Sequence, residues 1–185
     1  MTKIVGISGS LRKASFNTGL LRAASQVMPE GATLEVHTIA GIPLYNADEE
    51  AETGIPPAVT ALKEAMIAAD GVLLVTPEYN NSMPGPFKNA IDWTSRPSED
   101  IAKVFGGRPF AIMGASPGGF GTILAQNAWL PTLRTLGTDA WFGGRLMASR
   151  AGKAFSPEGE LQDDAVREQL RRFMDGFVQF IRSRG

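Results

Sequence analysis

The chain has no cysteine and a single histidine, His37. The first absence excludes a disulfide framework, a cysteine-ligated zinc or iron–sulfur site and a thiol nucleophile. The second excludes a histidine-rich metal site and confines imidazole acid–base chemistry to one side chain. An excess of charge of either sign is also missing. Eighteen lysines and arginines face 19 aspartates and glutamates, for a net charge of −1. That balance exerts no general attraction on nucleic acid or an anionic membrane. Long apolar runs are lacking too. The opening Met1–Ile7 is too short for the apolar core of a secretion signal. Residues 109–133 carry no charge, but Gly114, Pro117, Gly118, Gly119, Gly121 and Pro131 interrupt them. A membrane helix of about 20 residues would not be broken so often. The expectation is a cytoplasmic protein with no nucleic-acid and no membrane partner.

What is abundant is glycine and proline, 21 and 12 of 185 residues, against roughly 12% combined in average usage. Hydrophobic residues make up 43% and charged residues 20%, as in ordinary globular chains and unlike disordered ones. With no repeat or linker composition in view, residues 1–185 read as a single domain.

Apolar spacing predicts alternating strands and helices. Strands are expected over Lys3–Ser8, from Leu34 to Ile39, over Gly71–Thr76, over Pro109–Met113 and over Asp139–Phe142. Helices are expected over Thr18–Met28, Ala58–Ala69, Pro86–Thr94, Thr122–Leu136 and Asp164–Arg182. The acidic stretch Asp48–Glu52 reads as a solvated loop. The run Gly71–Thr76 is apolar throughout, as in a strand covered on both faces. This order predicts an α/β fold with a parallel sheet between two layers of helices. Ligands of such sheets bind at the carboxyl ends of the strands. Three loops belong there: Gly9–Asn17, Pro77–Pro86 and Gly114–Gly121.

The first loop combines Ser10, Arg12, Ser15 and Asn17 at the start of a helix. Free N–H groups, the helix dipole and a planar guanidinium suit a phosphate. A plain helix cap with a surface arginine explains the same residues. No Gly-Lys-Ser/Thr follows, so this is not a nucleotide-triphosphate loop. In the second loop Pro77, Pro84 and Pro86 stiffen a segment holding Glu78, Tyr79, Asn80 and Asn81. It can present polar groups to a flat ligand, or be a rigid surface turn. The third loop contains two decoys. Gly114-Ala115-Ser116-Pro117-Gly118 fits the nucleophile elbow of hydrolases, which uses the N–H of the residue after the serine. Pro117 has none, and His37 lies upstream rather than downstream. Gly119-Phe120-Gly121 begins a dinucleotide fingerprint that ends on Leu124 instead of glycine.

The first loop, Pro77-Glu78-Tyr79-Asn80 and Lys88-Asn89-Ala90-Ile91-Asp92-Trp93, in this order and spacing, resemble the NAD(P)H-dependent FMN reductase family. This flavodoxin-like group includes chromate, quinone and azo reductases. The resemblance runs from about residue 3 to beyond residue 140. It implies a three-layer fold with a five-stranded parallel sheet in the order 2-1-3-4-5, and assembly as a homodimer or homotetramer. It implies FMN as cofactor, with the phosphate held by Ser10, Arg12, Ser15 and Asn17, and Phe16 in the same turn. Pro77, Glu78, Tyr79 and Asn80 would line the ring and ribityl chain, and Ser116, Gly118 and Gly119 the other edge of the ring. It further implies hydride transfer from NADPH or NADH to the flavin. Electrons would then pass to a small-molecule acceptor such as a quinone, an azo compound, free flavin or chromate. No protein side chain need act as acid or base in the hydride step. An electron carrier or a regulatory flavoprotein of the same fold is the alternative, although carriers usually dock through a strongly charged face. One departure concerns the nicotinamide nucleotide. Many family members carry an arginine just after the third loop, where this chain has Thr122-Ile123-Leu124.

Overall fold

A computed structural model describes residues 1–184. Strand β1 (Thr2–Ser8) is followed by α1 (Phe16–Gln26), β2 (Ala32–Thr38), α2 (Ala47–Thr53), α3 (Pro57–Ala68), β3 (Gly71–Val75) and α4 (Gly85–Thr94). Then come α5 (Ile101–Val104), β4 (Pro109–Ala115), α6 (Ile123–Thr135), β5 (Asp139–Ala140), β6 (Met147–Ala148), α7 (Ala151–Ala154) and α8 (Asp164–Arg182). The strands are parallel in the order β2-β1-β3-β4-β5, as the resemblance implies, with β6 also paired to β4.

Alternation along the strands divides the core in two. Ile4, Leu73, Ala111 and Met113 point to one face, under α1 and α8, where they meet Leu20, Leu21, Phe173 and Phe177. Val5, Ile7, Val72, Leu74 and Phe110 point to the other and meet α3, α4 and α6 through Leu62, Met66, Phe87, Trp129 and Leu133. All five residues of β3 are buried, as its unbroken apolar run requires in a strand with neighbours on both sides and helices on both faces.

Three expectations need correction. The acidic stretch is helical, forming α2. Asn46 caps it by accepting from the Asp48 N–H at 3.0 Å, Asp48, Glu49 and Glu50 occupy its first turn, and Gly54 ends it at φ 78°. Acidic groups there oppose the partial positive charge of the helix start. The fifth strand is shorter than Asp139–Phe142. It spans Asp139–Ala140 opposite Pro109 and Phe110, and Met147–Ala148 takes up the same edge opposite Gly114 and Ala115. Residues 141–146 bulge away between the two fragments. Helix α1 starts two residues earlier than expected, so Phe16 and Asn17 form its first turn. Trp93 and Trp129 are fully buried.

Candidate functional site

The three glycine- and proline-rich loops follow β1, β3 and β4 at one edge of the sheet. They are braced to one another. The Gly9 N–H donates to the Val75 carbonyl at 2.9 Å, and the Thr76 N–H to that of Met113 at 2.9 Å. Phe87 of α4 lies flat against Gly9, and a Cβ there would stand 2.1 Å from its ring. The sequence therefore needs glycine at position 9 for the second loop to close on the first.

In the first loop, the Ser15 hydroxyl caps α1 by accepting from the Thr18 N–H at 3.3 Å, and Ser10 Oγ accepts from the Arg12 N–H at 3.3 Å. The backbone N–H groups of Lys13, Ala14, Ser15, Phe16 and Asn17 have no acceptor among the described residues. The Arg12 guanidinium lies 5.7 Å from the centroid of the Phe16 ring, and that ring is tilted against Phe155 at 5.4 Å. Arg12 makes no ion pair among the described residues and donates only a long 3.5 Å contact to the Ala14 carbonyl. Asn17 has a different task from the one expected of its side chain. Its amide is buried and donates to the Ala115 carbonyl at 2.8 Å while accepting from the Ala115 N–H at 2.9 Å.

The second loop is a tight hairpin. Tyr79 and Ser82 exchange backbone hydrogen bonds of 3.0 Å in each direction. Between them Asn80 and Asn81 both adopt positive φ, 50° and 62°, the backbone of a type I′ turn, which asparagine tolerates better than most residues. Tyr79 is half exposed at the tip. The Glu78 carboxylate turns away from this tip. Its Oε2 accepts from the N–H groups of Leu124 and Ala125, at 2.9 and 3.0 Å, in the first turn of α6. The helix has no cap of its own, because Thr122 makes no side-chain cap bond, so a residue 46 positions earlier supplies it. Pro77 continues this brace. The Thr76 hydroxyl donates to the Pro77 carbonyl at 2.8 Å and accepts from the buried Trp129 indole at 3.1 Å.

In the third loop Ser116 is buried. Its hydroxyl donates to the Gly121 carbonyl, and its backbone pairs with Ala148 and Ala151 at 3.0 Å each. This hydroxyl closes a turn and is not presented as a nucleophile. Gly118 and Gly119 behave differently. A Cβ on Gly118 would meet only Ser116 Oγ at 3.7 Å, and one on Gly119 would meet nothing within 4 Å. The chain itself imposes no glycine at these two positions.

His37 sits in β2, as expected of a strand residue, with Nε2 2.7 Å from Glu35 Oε1. Among the described residues no group of three or more His, Asp or Glu side chains could hold a metal, and no helix is long and apolar enough to cross a membrane. A cleft of about 350 Å³ opens between α6 and the 141–146 bulge, against Ile112, Ile123, Trp141 and Phe142. None of the loop residues singled out from the sequence lines it.

Residues 2–152 match the family described as NADPH-dependent FMN reductase. The chain belongs to this family. Its members among curated proteins resemble it over nearly their whole length. An NAD(P)H-dependent FMN reductase of Pseudomonas aeruginosa is 45% identical over 180 residues, covering 97% of this chain and 95% of the relative. A 2-hydroxy-1,4-benzoquinone reductase of a Burkholderia species is 36% identical over 182 residues, covering 98% and 97%. A solved flavoenzyme from Paracoccus denitrificans, an NAD(P)H:(acceptor) oxidoreductase, superposes with a TM-score of 0.86 at 33% identity, covering 99% of this chain and 98% of that one. The protein is thus an enzyme of the NAD(P)H-dependent FMN reductase and quinone reductase type, not a non-enzymatic carrier.

Two contributors escaped the sequence reading. The bracing role of Glu78 was hidden because its partners lie 46 and 47 residues away. Arg150 adopts φ 50° and donates its N–H to the Gly118 carbonyl at 2.9 Å. No local pattern marks an arginine for left-handed backbone.

Proposed function

We propose that the protein binds FMN in the three loops, takes reducing equivalents from NADPH or NADH, and delivers them to a small quinone. One observation carries the cofactor reading. Five consecutive N–H groups, Lys13 to Asn17, lie at the start of α1 beside Arg12; among the described residues these N–H groups have no acceptor and Arg12 has no ion pair. A terminal phosphate satisfies these donors, is favoured by the helix start and matches the guanidinium fork. In this reading Ser10 and Ser15 hold the shape of the loop, Phe16 seats Arg12, and Asn17 contributes its N–H. Pro77, Tyr79 and Asn80 flank one edge of the ring, with Glu78 fixing their distance from α6. Ser116, Gly118 and Gly119 border the other edge. Bound FMN supplies hydride and electron transfer, so the chain needs no acid or base of its own at that step. Its work is to orient two flat rings and to present backbone dipoles to the charge that develops.

The quinone is favoured because relatives at 36% and 38% identity are named for quinone reduction. Residues 1–185 act as one FMN-binding unit in this reading. Assembly with further copies is supported by Phe120, Ile123, Leu124, Leu130 and Phe142, large apolar side chains exposed on or beside α6. The test is an absorption spectrum of the purified protein before and after anaerobic NADPH, then NADH, followed by turnover with a quinone, an azo dye, free FMN and chromate. A flavin spectrum bleached by nucleotide and restored fastest by quinone is expected. A protein that takes up no FMN overturns the proposal.

A further inference from the structure

The segment from Ala140 to Pro157, beside the third loop, has a charge bias. It contains Arg145, Arg150 and Lys153 and no aspartate or glutamate, in a chain whose net charge is −1. Arg150 stands out by its backbone. Only three residues other than glycine adopt positive φ among the described residues, and the other two are the hairpin asparagines. At φ 50° and ψ 42°, a side chain with a Cβ sits in unfavourable left-handed space, a conformation that persists only where the surroundings impose it.

The surroundings here are the third loop. The Arg150 N–H donates to the Gly118 carbonyl at 2.9 Å, the Ala151 N–H to that of Ser116 at 3.0 Å, and the Lys153 N–H back to the Arg150 carbonyl at 2.8 Å. Arg150 is therefore anchored directly on Gly118, one of the residues that border the proposed flavin ring. Its side chain is exposed and joins no ion pair or side-chain hydrogen bond among the described residues. The alternative anion site of this loop is closed, because Glu78 already occupies the first N–H groups of α6. The following Thr122-Ile123-Leu124 brings no cation. Arg12, the other guanidinium of the site with no ion pair among the described residues, belongs to the first loop.

We infer that Arg150 binds a phosphate of the nicotinamide co-substrate. Its backbone is bonded to Gly118, one of the residues proposed to border the ring, and it lies outside the FMN phosphate loop. The guanidinium fork suits either the pyrophosphate shared by NADH and NADPH or the ribose phosphate of NADPH alone. This assignment rests on the FMN reading above.

The test measures, on the FMN-loaded protein, KM for NADPH and NADH with saturating quinone, and calorimetric Kd for NADP+ and NAD+. Arg150→Ala is expected to raise the NADPH KM and the NADP+ Kd about ten- to hundred-fold, the loss typical of one charge-assisted contact. FMN affinity and kcat at saturating nucleotide should hold, and Arg150→Lys should recover part of the loss. An equal rise for NADH assigns the pyrophosphate, and a rise for NADPH alone the ribose phosphate. Arg150→Gly relieves the backbone while removing the charge, and should be as impaired as Arg150→Ala. If the glycine variant binds nucleotide like the parent, the effect is conformational and the inference fails. It fails equally if Arg150→Ala leaves every nucleotide constant within two-fold in a protein that holds FMN. A parent protein that takes up no FMN overturns the flavin reading and this inference with it.

Discussion

The side-chain amide of Asn17 and the backbone of Ala115 exchange two hydrogen bonds, of 2.8 and 2.9 Å, between residues 98 positions apart. The pair is buried and imitates one rung of a strand ladder. It fixes the start of α1 against the end of β4, and with them the separation of the first and third loops. Asn17→Ala leaves the Ala115 N–H and carbonyl buried without partners, at a cost of about 2–4 kcal/mol. Urea unfolding should report that loss, and FMN titration a weaker complex. Asn17→Asp should lose at least as much, since its buried carboxylate faces the Ala115 carbonyl oxygen with no proton to donate. Equal stability of all three proteins would contradict the bracing role.

Arg12 is the guanidinium of the first loop, beside Lys13. Arg12→Ala should weaken FMN binding by about 1.5–3 kcal/mol, near ten- to hundred-fold in Kd. Unfolding stability of the FMN-free protein should be unchanged, because Arg12 is exposed and joins no ion pair among the described residues. Arg12→Lys should recover part of the affinity, keeping the charge and losing the fork. Fluorescence titration of FMN separates the three, and unchanged affinity in Arg12→Ala would refute the phosphate assignment.

Glu78 ties the second loop to α6. Replacing it by alanine uncaps the helix and should destabilise the fold by about 1 kcal/mol. Glu78→Gln keeps an acceptor and should lose less. The two variants should rank in the same order for FMN affinity, since the carboxylate sets how far the hairpin stands from the third loop. Thermal melts and FMN titration measured together would show whether cap and slot are linked. A stable Glu78→Ala with normal affinity would break the link.

A fourth expectation concerns acid. Glu50 in α2 accepts from Arg96 Nε at 3.1 and 3.0 Å and from the Tyr45 hydroxyl at 2.9 Å. Burial pushes the Glu50 carboxyl up, but these hydrogen bonds and the Arg96 charge outweigh it and hold the group below its ordinary range. Asp100 is lowered in the same direction, chiefly by its hydrogen bond from Lys63. A carboxyl lowered in the folded state stabilises above its unfolded pKa, about 4.3 for glutamate. That contribution is lost as pH falls through the lower folded value. The melting temperature should therefore drop on acidification below that range, and drop less steeply in Glu50→Gln. Parallel pH profiles for the two proteins would exclude Glu50 as a source of acid sensitivity.

Legibility in the sequence followed the range of the interactions. β3 declared itself because Gly71–Val75 is apolar without interruption, and the 3.6-residue spacing of Leu170, Phe173, Met174 and Phe177 marked α8. The signals for α2 were local as well. Asn46 and Gly54 bracket it as cap and stop, yet the acidic composition between them suggested a solvated loop. β6 could not be read, since two residues carry no periodicity and pairing with β4 defines them. At the site, the types of residue were visible and their directions were not. Glu78 and Asn17 stood in the right loops, but both side chains turn to backbone groups contributed by distant chain. The strained backbone of Arg150 likewise arises from contact with Gly118 and leaves no trace in its neighbours.

The divided fifth strand has a consequence for behaviour in concentrated solution. An exposed strand edge is a template on which other chains can add, and the risk grows with an uninterrupted ladder. On this side of the sheet Ala111–Met113 have no strand partner, and the fragments on either side, Asp139–Ala140 and Met147–Ala148, are two residues each. An incoming strand would meet a bulge in place of a continuous row of donors and acceptors. The break that opens a cleft beside α6 thus also guards the sheet against edge-to-edge aggregation.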